Sequence, residues 1–210
     1  LLASGGAILG ATVANPFSSL TSSALAAIDT EKSFDLVRAD KNENPYGPSR
    51  VALQAINRAM NLTNRYGGGN RRNLVKLIAE QNGVATENVV LGSGSGEILK
   101  LGGLIASWET GSVVCVDPTY QDLVRYASRV RSQIVRVPVD ENLACDLEAV
   151  ASAIKKDTRM VYLVNPNNPV PNIINKSKLR DFVIEVSKDR LVFIDEAYHE
   201  YVTDPDYSSM

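Results

Sequence analysis

Histidine and cysteine are nearly absent from this chain of 210 residues: His199 is the lone histidine, and Cys115 and Cys145 are the only cysteines. No C-x-x-C pair occurs, so the usual ligand spacing of a structural zinc site is missing. Two thiols so far apart in sequence are expected to be buried and free, with a disulfide as the other option. A charge excess is also lacking. The net charge is −2 and no long basic run occurs, which gives no basis for binding nucleic acid or a membrane surface. What is present is ordinary for a globular protein: 44% hydrophobic and 22% charged residues, enough apolar material for a core.

The first thirty residues stand apart in composition. Residues 1–13 are apolar and small-residue-rich, and a Ser/Ala/Leu-rich stretch follows over 18–27. The apolar run is shorter than the ~20 residues of a spanning helix. Ala24-Leu25-Ala26 has the small-x-small form of a signal-peptidase site. A protein exported after folding would take a twin-arginine route, which makes a periplasmic location the expectation and a cytoplasmic extension the alternative. The chain starts at Leu1 rather than methionine and stops in a turn-like segment, Asp204-Pro205-Asp206-Tyr207, so it reads as a fragment. The expected organisation is an extension over 1–30, an N-terminal arm over 31–60, and a large domain over 61–210.

From residue 40 onward the patterning is that of an α/β protein. Asp40 to Pro48 is an Asn/Pro/Gly-rich loop, and helical spacing follows over 51–60. Tyr66-Gly67-Gly68-Gly69-Asn70 reads as a flexible turn, and Leu74, Leu77 and Ile78 mark a second helix ended by Gly83. Strands are expected at 89–91, 113–116, 134–139, 160–164 and 191–194, with helices at 97–107, 121–129, 147–154 and 178–186 between them. The strands are continuous apolar runs, as in strands covered on both faces. Repeated β-α units imply a three-layer architecture around a mostly parallel sheet with right-handed crossovers. Ligands of such sheets sit beyond the carboxyl ends of the strands.

Every chemical motif falls at such an end. Leu91 is followed by Gly92-Ser93-Gly94-Ser95-Gly96-Glu97 and then a helix; free amides at a glycine-rich helix start favour a phosphate. A Rossmann dinucleotide loop competes for this segment, since Gly92 and Gly94 fit and Asp117 ends the next strand. The third glycine of that fingerprint would fall at position 97, which is Glu97. Asp195 closes the strand Leu191-Val192-Phe193-Ile194 and, held in a partly buried place, needs a cationic or hydrogen-bonding partner. A protonated pyridine nitrogen would serve, with the Tyr198 phenol beside the same ring; an Asp capping the next segment is the plainer reading. Asn168 sits in the proline-stiffened run Asn165-Pro166-Asn167-Asn168-Pro169. Tyr120 ends Asp117-Pro118-Thr119-Tyr120 and could lie flat on a heteroaromatic ring, and Tyr66 could reach a phosphate.

Together these segments resemble the fold-type-I, class I/II aminotransferases that use pyridoxal 5'-phosphate, nearest to the histidinol-phosphate aminotransferase group. The resemblance runs from about Asp40 to the end and rests on five ordered motifs. They are Asn42-Glu43-Asn44-Pro45-Tyr46-Gly47-Pro48, Gly94-Ser95-Gly96-Glu97, Pro118-Thr119-Tyr120, Asn165 to Pro169, and Asp195-Glu196-Ala197-Tyr198. The resemblance implies that Ser95 and Gly96 bind the cofactor phosphate, that Tyr120 stacks on the ring, and that Asn168 and Tyr198 bond its hydroxyl oxygen. It implies that Asp195 keeps the ring nitrogen protonated and that Tyr66 reaches the phosphate of the neighbouring subunit of a homodimer. Asn44 and Tyr46 would border the substrate pocket. The Schiff-base lysine and the arginine for the substrate carboxylate would lie beyond Met210, leaving this piece alone inactive. The family's usual Thr-Gly after Asn-Asn-Pro is here Val170-Pro171, so that loop is expected to differ. The implied reaction moves an amino group between an amino acid, or an amino-alcohol phosphate such as histidinol phosphate, and a 2-oxo acid. A decarboxylase or other lyase on the same scaffold remains an alternative, as does a Rossmann nucleotide-binding module.

Overall fold

A computed structural model describes residues 39–210. The signal-like segment expected over 1–30 lies outside the described residues. The chain divides into two compact units, 1–67 and 68–210.

Of the first unit, the described part is a loop followed by helix α1 (Arg50–Ala59) and a single 3-10 turn (Met60–Leu62). The loop is organised by Asn44, whose Oδ1 accepts from the Tyr46 amide at 3.0 Å, in an Asx turn. Gly47 follows at φ 64, a left-handed conformation that glycine adopts without steric cost. Ser49 caps α1, its hydroxyl accepting from the Ala52 amide at 3.2 Å.

The second unit opens with α2 (Gly68–Asn82). Gly68, Gly69 and Asn70 therefore form the first helical turn rather than the flexible turn expected from their composition. The first turn has no intrahelical amide bonds to lose, so the weak propensity of glycine costs least there. The end of α2 follows expectation. Gly83 turns left-handed at φ 64, and Val84 N–H donates to Ala79 O at 3.0 Å, the long bond of a Schellman cap.

Then come α3 (Ser95–Ala106), β1 (Ser112–Asp117), α4 (Asp122–Arg129), β2 (Gln133–Pro138), α5 (Leu147–Ala153), β3 (Thr158–Val164), α6 (Lys176–Val186) and β4 (Leu191–Asp195). The four strands form one parallel sheet in the order β2-β1-β3-β4. The strand expected at 89–91 is not in it. Val89 is extended, yet no described strand runs alongside to take its amide and carbonyl, and Val90 is exposed.

The sheet is the middle of three layers. Val113, Cys115, Met160 and Tyr162 point to one face and pack with Leu99 of α3 and Leu123, Val124 and Ala127 of α4. Val114, Val116, Val161 and Leu163 point to the other and pack with Val150 of α5 and Leu179 of α6. Alternate residues thus feed two cores, which is why the strands read as unbroken apolar runs. Each buried leucine contributes about 1.5–3 kcal/mol. Both cysteines are free thiols, and burial pushes Cys115 up to about 11 and Cys145 up to about 12. They stay protonated and inert near neutrality.

Strand order and helix placement locate the crevice. The chain leaves β1 toward β2 through α4 on one face, then turns back to β3 and β4 through α5 and α6 on the other. Right-handed crossovers require this change of face when the direction of progress reverses. The connections therefore diverge at the carboxyl ends of β1 and β3, a topological switch point where such sheets bind ligands.

Candidate functional site

The loops after β1 and β3 meet at that switch point and are tied together. Thr119, buried, donates from Oγ1 to Asn167 Oδ1 at 2.9 Å, and Asn167 Nδ2 donates to Pro118 O at 3.0 Å. This reciprocal pair fixes Tyr120 and Asn168, the residues immediately following each partner. The half-buried side-chain amide of Asn168 takes part in none of the hydrogen bonds that shape its loop. Thr119→Val is expected to destabilise the second unit by about 1–2 kcal/mol, because Asn167 Oδ1 loses its donor. Urea denaturation of the two proteins checks this; an unchanged midpoint would mean the tie carries no weight.

The Val170-Pro171 departure is absorbed locally. Asn167 N–H donates to Asn172 O at 3.0 Å, closing the loop across Val170 and Pro171. Pro171 sits inside this closure, where its missing amide is not called on.

Asp195 ends β4, next to β3, and is 8% exposed. Its Oδ1 accepts from the Ala197 amide at 3.1 Å, an Asx turn at the strand end; the 3-10 turn that follows (His199–Tyr201) is capped by Tyr198 and not by Asp195. Its Oδ2 faces the Tyr162 hydroxyl at 3.5 Å. Among the described residues no Lys, Arg or His forms an ion pair with it. Burial raises its pKa above the usual carboxylate value; the Ala197 amide and the Tyr162 hydroxyl pull the other way.

Tyr120 lies close enough to Asp195 and Tyr198 for both to raise its pKa, after the larger effects of burial and Asp122. Its hydroxyl donates to Asp122 Oδ2 at 3.3 Å, and that carboxylate also stands beside Gly96, 3.9 Å from where a Cβ would be. The glycine-rich loop, Tyr120, Tyr198 and Asp195 are therefore neighbours in the second unit.

The loop itself ends with Gly94, the N-cap of α3, at φ 77. A side chain there would be strained, so the glycine sets the turn that presents the first amides of α3. Ser95 and Gly96 are the first two residues of that helix. Glu97 reaches back from the first turn to accept the Ser93 amide at 2.5 Å, a variation on the capping box. An open cleft of about 310 Å³ beside the loop is lined by Ser93, Gly96, Glu97, Lys100, Leu104 and Tyr126. Tyr120, Asn168 and Asp195 are not among its lining residues, while Gly96, next to Asp122, is.

The geometry disfavours the dinucleotide reading. In the Rossmann fingerprint the glycine loop follows a strand of the sheet, and 89–91 is not one. The acid that would hold a ribose, Asp117, is already paired with Arg136 Nη1 at 3.0 Å.

Asn44, Tyr46 and Tyr66 belong to the first unit, where Tyr46 and Tyr66 are fully exposed. Residues that sequence reading missed are Thr119, Asn167, Tyr162 and Asp122. Tyr162 carried a usable signal: a polar-tipped aromatic in an otherwise aliphatic central strand.

A parallel sheet with its loops gathered at one switch point, a glycine-rich helix start and an acid closing the last strand define a cofactor-binding α/β protein. The family profile of class I and II aminotransferases matches residues 35–210, and the chain belongs to that family. It is 36% identical over 173 residues to the histidinol-phosphate aminotransferase of Moorella thermoacetica, covering 82% of this chain and 45% of that protein. The solved histidinol-phosphate aminotransferase of Clostridium acetobutylicum superposes with a TM-score of 0.69 at 30% identity, covering 80% of this chain and 49% of that one. That from Sinorhizobium meliloti, solved with pyridoxal 5'-phosphate, gives 0.70 at 26% identity, covering 79% and 45%. The chain spans about half the length of these relatives. No described helix is long and apolar enough to cross a membrane.

Proposed function

We propose that this chain is the N-terminal half of a pyridoxal-phosphate-dependent aminotransferase. The whole protein moves an amino group between an amino acid, or an amino-alcohol phosphate such as histidinol phosphate, and a 2-oxo acid. The observation that carries this reading is Asp195: a buried carboxylate without an ion-pair partner among the described residues, at the end of β4 and close to Tyr120. Leaving such a group ionised is costly unless a cation arrives. A protonated pyridine nitrogen is a cation of suitable size, and the residues fit the rest of the group.

The first amides of α3, at Ser95 and Gly96, would hold the phosphate, with the Ser95 hydroxyl beside them. Tyr120 would cover the ring face, its hydroxyl anchored on Asp122. Asn168 and Tyr198 would bond the ring hydroxyl oxygen. Pyridoxal phosphate supplies the electron sink for breaking a bond at the amino-bearing carbon. Asp195 would hold a proton on the ring nitrogen, which makes such a sink effective. A lysine to hold the cofactor and an arginine for the substrate carboxylate would be supplied by residues outside this chain. Tyr66 would reach a cofactor phosphate in the partner of a homodimer, and Asn44 and Tyr46 would border the substrate. Residues 1–30 would act as an export signal, which N-terminal sequencing of the mature protein from its host would test.

The whole protein, supplied with pyridoxal phosphate, 2-oxoglutarate and a panel of amino donors including histidinol phosphate, is expected to form glutamate with at least one donor. Release of carbon dioxide from an amino acid, with no glutamate formed from any donor, would contradict transamination in favour of a decarboxylase.

A further inference from the structure

Tyr162 lies in the central strand β3 with no part of it exposed, and the reading above gives it no task. It stands beside Phe193 of β4 in the sheet register, while Asp195 pairs with Val164. Residues two apart share a face, so Tyr162 and Asp195 are diagonal neighbours on the side covered by α3 and α4. Only a long side chain spans that diagonal. The Tyr162 ring leans edge-on against Phe193, with centroids 6.0 Å apart, and carries its hydroxyl to within 3.5 Å of Asp195 Oδ2. Among the described residues that carboxylate is the hydroxyl's one side-chain acceptor. A buried phenol needs a partner, and a phenylalanine of the same shape would leave Oδ2 without this donor.

We propose that Tyr162 is a positioning residue for the reaction: its hydroxyl donates to Asp195 Oδ2, holding the carboxylate ionised and turned toward the cofactor's ring nitrogen. The inference rests on the aminotransferase reading. The two Asp195 oxygens are then divided. Oδ1 is fixed by the Ala197 amide, and Oδ2 takes the phenol while keeping a lone pair for the ring. At 3.5 Å the contact is long for O–H···O, and such bonds in cofactor-free sites shorten when the partner charge arrives. The titratable groups acting on Tyr162 besides Asp195 are Cys115 from β1 and Tyr120 from the loop after β1; Tyr198, beyond β4, acts on Tyr120. Burial raises both Tyr120 and Cys115 above their ordinary values, so neither phenol nor thiol competes with Asp195 for the proton near pH 7.

The test uses the whole protein loaded with pyridoxal phosphate labelled with nitrogen-15 in the ring, whose chemical shift reports ring protonation. In Tyr162→Phe the pH midpoint of ring-nitrogen protonation is expected to fall by about one unit, a tenfold change in that equilibrium. kcat is expected to fall about tenfold with KM within about twofold, because the loss falls on the reacting state. Incorporating 3-fluorotyrosine at position 162, a stronger donor of nearly the same shape, should move the midpoint the opposite way. A midpoint and kcat unmoved in both variants would overturn the inference and leave Tyr162 as packing. A parent protein that binds no pyridoxal phosphate, or whose ring nitrogen is unprotonated, would overturn the cofactor reading itself.

Discussion

Asp195→Asn is expected to do two opposite things: lower kcat/KM of the whole protein by roughly 10²–10³-fold, and make the cofactor-free protein more stable at neutral pH. The loss arises because an amide cannot balance a protonated ring nitrogen; removing one partner of a buried charge pair costs about 3–5 kcal/mol. The gain arises from burial, which raises the Asp195 pKa against the smaller pull of the Ala197 amide and the Tyr162 hydroxyl. A raised pKa in the folded state means that folding favours the protonated acid. That contribution to stability is complete below the unfolded value of about 3.9 and is lost as pH rises through the higher folded value. Asparagine carries no charge to desolvate and escapes the loss. Melting temperatures of the two cofactor-free proteins should therefore be close in acid and separate toward pH 7, with the variant higher. If the parent is the more stable at pH 7, Asp195 has a cationic neighbour that this reading denies it.

Gly103→Ala is expected to destabilise the second unit by about 1–3 kcal/mol, or roughly 3–10 °C in Tm. A Cβ at Gly103 would meet Leu123 O at 2.9 Å and Ala127 N at 3.0 Å, both backbone atoms of α4 that cannot turn aside. Helix α3 would have to back away from α4, carrying Gly94 to Gly96 with it, so affinity for pyridoxal phosphate should fall as well. Gly96→Ala is the control for fold. Its Cβ would find only Asp122 Oδ2, at 3.9 Å, and Gly96 is in the first turn of α3, so stability is expected to stay within about 0.5 kcal/mol of the parent. Calorimetry separates the two variants. Equal melting temperatures would show that α3 and α4 are not in the close contact described here.

Much of this arrangement was legible in the sequence because two simple rules apply. Unbroken apolar runs such as Val113 to Val116 mark strands covered on both faces, and β1, β2 and β3 are each followed by a helix, which dictates a parallel three-layer fold. Chemistry collects at strand ends, so Asp195 and Tyr120 could be placed at one site from their positions alone. What was not legible depends on register across the sheet. The Thr119–Asn167 tie joins residues 48 apart and the Tyr162–Asp195 contact residues 33 apart; neither follows without knowing that β1, β3 and β4 are successive neighbours. Residues 89–91 look like a strand by composition, but a strand exists only with a partner, and composition does not say whether one is there. Gly68 to Asn70 look like a turn, yet a helix can begin on residues too weak to continue it.

The central claim is that the glycine-rich start of α3 and Asp195 belong to one pyridoxal-phosphate site. The most direct measurement is an absorbance spectrum of the whole protein with pyridoxal phosphate added, followed by borohydride and peptide mapping. A band near the visible edge that borohydride removes is expected, with the label on a single lysine and the band weakened in Asp195→Asn. No band, together with binding of a nicotinamide or adenine nucleotide, would contradict it.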